Sequence, residues 1–131
     1  MDVTFQDFEQ LDNPRNGTTL NGGTAVSDLF SSLAGRNPFI FELRNQAGYR
    51  LTIGFGGTLG CVQYSAADGT PPYLVAVADT QSGVEPGYLS AGGQQAEIPG
   101  RFCLPIERVV DIVAEFVATG ARSPSVAWEE V

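Results

Sequence analysis

The sequence predicts an α+β domain. It is expected to be an antiparallel β-sheet meander with a short N-terminal helix and a main C-terminal helix packed on it, closed by a C-terminal strand carrying Trp128. Three observations predict it. Between Phe39 and Leu104, apolar residues alternate with polar ones in short runs separated by glycine-rich turns. On either side of that region, TAVSDLFSSLAG and PIERVVDIVAEFVATG switch to the helical period. No repeat or linker divides the chain, so residues 1–131 read as a single domain. A chain of this length buries about two-thirds of the surface its unfolded form exposes.

The elements follow in order. VTFQDFEQL is weakly strand-like, and DNPRNGTTLNGG, from Asp12 to Gly23, has the composition of turns. In the first helix Val26, Leu29, Phe30 and Leu33 share one face; Thr24 is the expected cap and Gly35 the expected stop, before Asn37-Pro38. FIFELR, YRLTIGF, LGCVQYSA and YLVAVAD are rich in aromatic and β-branched residues and are joined by NQAG, GGT and ADGTPP, which predicts hairpins. VEPGYLSAGGQQAEIPGRFCL is richer in glycine and reads as a loop with one or two further short strands. The main helix places Pro105 in its first turn and Ile106, Val109, Val110, Val113 and Phe116 on one face, with Gly120 as its stop. In SVAWEEV, Val126 and Trp128 fall on one side of a final strand. The sole tryptophan is expected under the main helix as a clasp, since its ring buries about 200 Å² and contributes several kcal/mol.

Composition removes several function classes. The net charge is −8, from 15 acids and 7 bases, every base an arginine. Such a chain repels phosphate backbones, so no direct nucleic-acid binding is expected, whereas a basic protein partner is attracted. No stretch approaches the roughly 20 apolar residues of a membrane span. The acidic start MDVTFQDFEQLD lacks the apolar core of a secretory signal, so the expected location is cytoplasmic. Cys61 and Cys103 are expected to be reduced thiols packed as small apolar residues. The chain has no histidine, which removes Ser-His and Cys-His nucleophile pairs and the usual His-containing zinc sites. No catalytic, cofactor-binding or metal-ligating residue is assigned, and no enzyme activity is expected.

Three stretches invite chemistry. GFGGTLG, from Gly54 to Gly60, lacks the spacing of a dinucleotide fingerprint and is followed by no lysine. It stands between two strand patterns and reads as a hairpin turn. Glu107, Asp111 and Glu115 recur every four residues along the main helix, either as a solvated face or as a face for a basic partner. Between Arg50 and Arg101 no basic residue occurs. That interval holds Asp68, Tyr73, Asp79, Glu85, Tyr88, Gln94 and Gln95. Acid, amide and tyrosine without positive charge suit a surface that binds a basic protein, and these residues are the candidate partner contacts. Asp68 also suits a plain turn role in ADGTPP.

The C-terminal stretch carries a resemblance. An amphipathic helix ending in EFVATG, then a basic residue, a proline and V-x-W-E, resembles the C-terminal signature of a family of bacterial immunity proteins. It is the first-numbered immunity family of polymorphic toxin systems. The matching residues are Glu115, Phe116, Thr119, Gly120, Arg122, Pro124, Val126, Trp128 and Glu129; Ser123 separates Arg122 from Pro124, which the family commonly has adjacent. The resemblance implies a single immunity-protein-like domain over 1–131, an inhibitor bound as a heterodimer to a cognate toxin. In this family the toxin is often a zinc-dependent nucleic-acid deaminase, including DNA cytosine deaminases. Phe116, Gly120, Pro124 and Trp128 are implied to serve the fold, and contact loops differ between members. Two other classes stay open on the residues: a secretion adaptor or chaperone for a toxin cargo, and a small-molecule-binding or catalytic α+β domain.

Overall fold

The computed structural model describes residues 3–7, 12–33, 39–56, 59–77, 87–91, 94–98 and 100–131, with the backbone path alone for 87–91 and 94–98. The strands are β1 (Val3–Asp7), β2 (Thr19–Leu20), β3 (Phe39–Asn45), β4 (Tyr49–Gly56), β5 (Leu59–Ala66), β6 (Leu74–Val77), β7 (Gly87–Ala91), β8 (Gln94–Ile98), β9 (Leu104–Pro105) and β10 (Ala127–Glu130). The helices are α1 (Gly23–Leu33) and α2 (Ile106–Thr119), with a 3₁₀ turn at Gly100–Phe102. Eight strands form one antiparallel sheet in the order β10-β6-β5-β4-β3-β1-β2, with β9 also on β5; β7 and β8 form a separate ribbon. The α+β architecture and the β3-to-β6 meander are those the periodicity predicts.

Register explains which face is apolar. Phe5 lies opposite Leu43 and Leu43 opposite Leu51, while Phe41, Ile53 and Val62 form the adjacent row. All six are fully buried. They make one core with Val26 and Leu29 of α1 and with Val109, Ile112, Val113, Phe116 and Val117 of α2. Phe41 packs against the rings of Phe5 and Phe30, with centroids at 5.5 Å and 6.0 Å. The period of each element thus puts its apolar set against that of another, and both helices cover the same side of the sheet.

Two boundaries differ from expectation. Thr24 lies inside α1, because the first turn closes two residues earlier, with Val26 N–H donating to the Gly22 carbonyl at 3.2 Å. Pro105 is the N-cap of α2 rather than part of its first turn, with φ −56° and ψ 146°. That extended conformation lets it pair with Leu59 at the end of the sheet. The predicted stop Gly35 and the centre of the Gly56–Leu59 turn lie outside the described residues. Gly120 ends α2 as predicted: at φ 75° it adopts the left-handed conformation, and its N–H reaches the Phe116 carbonyl at 2.8 Å.

The closing strand behaves as the clasp. β10 pairs with β6, Trp128 opposite Ala76. Val126 is buried and Trp128 is half-buried against the core. Its indole N–H donates to the Ser123 carbonyl at 3.0 Å. Ser123, the residue that separates Arg122 from Pro124, is itself buried, and its hydroxyl receives the Ser125 N–H at 3.2 Å.

Candidate functional site

The predicted contact residues fall in two places. Asp68 and Tyr73 lie in the turn between β5 and β6. Tyr88 lies on β7, and Gln94 and Gln95 lie on β8. Asp79 and Glu85 lie outside the described residues.

Both residues of the first group also build their turn. The exposed Asp68 carboxylate accepts the Thr70 N–H at 3.0 Å and the Thr70 hydroxyl at 2.7 Å. Those two bonds, with a smaller pull from Arg50, hold its carboxyl below the usual aspartate range. Tyr73 is half-buried; its hydroxyl donates to the Gly69 carbonyl and its own carbonyl receives the Val131 N–H. Gly69, at φ 84°, supplies the left-handed residue between them.

Three chain segments meet at this end of the sheet. Ala67 N–H donates to the Gly48 carbonyl at 2.8 Å, which joins the β5–β6 turn to the β3–β4 turn. The buried Asn45 receives the Tyr49 N–H at 3.0 Å and donates to the Gly120 carbonyl at 3.1 Å, which adds the end of α2. On this scaffold the Tyr49 and Tyr64 rings stack at 5.3 Å, with 15° between their planes. Tyr64 meets Phe116 and Trp128 edge-on, and the Arg122 guanidinium stands 5.7 Å from its centroid. Burial pushes the Tyr64 hydroxyl up, the neighbouring Tyr49 adds to the rise, and Arg122 opposes it. Tyr49 remains 42% exposed, an unusual share for a large apolar ring in this protein. The sequence reading missed it, because a tyrosine at the start of a strand is ordinary. Only register reveals that its cross-strand partner is Ala66, too small to cover it. Tyrosine, arginine and aspartate on a rigid rim are a composition suited to gripping a protein.

The ribbon forms the second group. Tyr88 pairs with Glu97 and Ser90 with Gln95, which puts those residues on one face, whereas Ala91 and Gln94 share the other. By register, Tyr88 and Gln95 share a face of the ribbon that Gln94 does not. β7 runs against β3 and β4, whose edges are both taken by neighbouring strands, so it lies across a face of the sheet. The helices occupy the apolar face, which leaves the face of Glu42. There the Glu42 carboxylate, 1% exposed, receives Arg44 Nε and, at 3.4 Å, Arg50 Nη1. Arg50 Nε continues to the Ser65 hydroxyl at 3.0 Å. The sequence reading missed this network, since alternation alone makes Glu42 an outward residue.

The remaining candidates are simple. On α2, Glu107 and Asp111 are exposed and Glu115 is half-buried, an outer stripe with no ion pair among the described residues. Of the family-motif residues, Phe116 is buried in the core, Gly120 caps α2, Trp128 of β10 pairs with Ala76, and Pro124 is exposed on the connection.

The family model Immunity protein Imm1 matches residues 16–130. No curated protein matches the chain. The matched span begins in the turn before β2 and ends with the last residue of β10, so it takes in the helices, the meander, the ribbon and the Trp128 clasp. By that match, the chain belongs to the Imm1 immunity protein family.

Proposed function

We propose that the protein neutralises a zinc-dependent nucleic-acid deaminase toxin, acting on DNA cytosine, by covering the basic cleft with which that toxin grips its substrate. It acts in the cytoplasm of the producing cell, by binding as one half of a heterodimer and without chemistry of its own. Membership of an immunity family supports a toxin as the partner.

The observation that carries the reading is the distribution of charge. Asp12, Asp28, Asp68, Glu107, Asp111 and Glu130 are exposed. Arg44, Arg50 and Arg101, in contrast, face carboxylates of their own chain. These carboxylates stay outward, while part of the positive charge is neutralised by the chain itself. A cleft that holds a nucleic acid must present the opposite sign, so an acidic inhibitor replaces phosphate there. Protection also requires that almost no toxin stay free. That asks for a Kd near nanomolar, about −12 kcal/mol, from an interface of roughly 1,600 Å². The proposed anchors are Asp68, Tyr73 and Tyr49 on the rim, with Tyr88 and Gln95 on the ribbon; Asp79, Glu85 and Gln94 belong to the same acidic, amide-rich interval.

The test is co-expression with the toxin domain encoded beside this chain, scored by survival and by deaminated bases. Survival with base changes suppressed supports the reading. Killing despite soluble expression of both proteins overturns it, and protection from a toxin that changes no bases overturns the deaminase assignment. Association should slow steeply as salt is raised, because the attraction is screened.

A further inference from the structure

Cys61 and Cys103 stand 42 positions apart, and both remain thiols in the structure. β9 runs antiparallel to β5, with Leu59 opposite Pro105 and Gly60 opposite Leu104. One further step of the same register sets Cys61 opposite Cys103. The type of that pair follows from a missing hydrogen. Pro105 has no N–H, so Leu59 and Pro105 cannot exchange both backbone bonds and must be a non-hydrogen-bonded pair. Alternation then makes Gly60 and Leu104 the hydrogen-bonded pair, and returns Cys61 and Cys103 to the non-hydrogen-bonded type. In that type opposed Cα atoms approach to about 4.5 Å, inside the roughly 4.4–6.8 Å span that a disulfide bridges.

The geometry points to a cross-strand disulfide site between Cys61 and Cys103, formed by exchange with a small-molecule disulfide, that staples the base of the segment carrying the toxin contacts. All seven sequence-predicted contacts, from Asp68 to Gln95, lie inside the loop this bond would close. A Cys61 thiolate attacks one sulfur of the external disulfide, whose S–S bond breaks and releases a first thiolate. Cys103 then gives its proton to water, attacks the Cys61 sulfur and expels the second. The two protein thiols lose two electrons and the external disulfide gains them.

A separate feature bears on the rate. Burial pushes the Cys61 thiol up to about 12, and the adjacent Cys103 adds to the rise. The thiolate is therefore scarce near neutral pH and the pair stays reduced until an oxidant persists.

The test uses the full folded chain with hydroxyethyl disulfide in mildly alkaline buffer, followed by intact mass and peptide mapping. Expected is the loss of two hydrogens, one Cys61–Cys103-linked peptide, and a Tm raised on the order of 10 °C over the reduced chain. Cys103→Ser should stop at a single mixed disulfide on Cys61. Separate adducts on both cysteines of the wild-type chain, a link between two chains, or two intact thiols while the urea-unfolded chain oxidises would each overturn the site. The effect on binding rests on the proposed function and is read apart from it. Oxidised protein should release the toxin several-fold more slowly. Unchanged release with the cross-link in place overturns that effect alone, whereas no toxin binding in either redox state counts against the proposed function.

Discussion

On one side of the sheet Phe5, Phe41, Leu43, Leu51 and Ile53 lie under two helices; on the other, Glu42, Arg44, Arg50 and Ser65 lie on the side crossed by β7. Both sides bury side chains, by different physics. The helix side is held by area and packing, which are non-directional and tolerate exchange among apolar residues of similar volume. The Glu42 side depends on named partners at fixed distances, where one deletion strands the others.

The largest expected effect breaks the helix side. Phe116→Ala removes a fully buried ring that Tyr64 meets edge-on, and should cost about 3–5 kcal/mol in urea unfolding followed by Trp128 fluorescence. A loss below about 1 kcal/mol would mean the site collapses freely and is no true core.

Next comes the other side. Glu42→Ala leaves Arg44 and Arg50 without their carboxylate. The expected cost is about 1–3 kcal/mol, less than for a sealed ion pair, because Arg44 is half-exposed and Arg50 keeps Ser65. Amide hydrogen exchange should show β7 losing protection before β4; equal loss in both strands would mean that the ribbon does not depend on this network.

A third substitution addresses where the sides meet the turn end. Asn45→Ala leaves the Tyr49 N–H and the Gly120 carbonyl without their partner, for an expected loss of about 1–2 kcal/mol. It should also loosen Tyr49 against Tyr64, seen as broadened aromatic NMR signals.

The last prediction is a pH dependence. Cys61 pairs with Gly54 on the Glu42 side, and burial raises its thiol from 9.0 to about 12. The folded chain therefore holds this proton more tightly than the unfolded chain. That stability is complete below about pH 9 and is lost as pH rises toward 12. Cys61→Ala should lose less stability across that window than the wild type, and parallel curves would remove Cys61 as the cause.

How far the sequence could be read follows the same division. Alternation in FIFELR and YRLTIGF gave the apolar face directly, and the helical period of α2 gave its buried stripe. The ends of the helices were less legible, since Thr24 and Pro105 each suit more than one position and the neighbouring backbone selects one. In the candidate site, Asp68 was legible as turn chemistry and Tyr73 only as a candidate contact; the structure shows both building the β5–β6 turn. Tyr49 was not legible, because its exposure depends on Ala66 across the ladder. Glu42 was not legible either, because alternation alone makes it an outward residue whereas the structure buries it.

By itself, then, the sequence determined the elements, their apolar faces, the acidic balance and the family signature, all properties of residues close together along the chain. Tertiary structure alone decided that β10 lies on β6, that β9 shares an edge of β5 with β6, and that β7 crosses β3 and β4. Those choices join distant segments. They depend on which edges are open and which faces need cover once the chain has closed, and no local period encodes that.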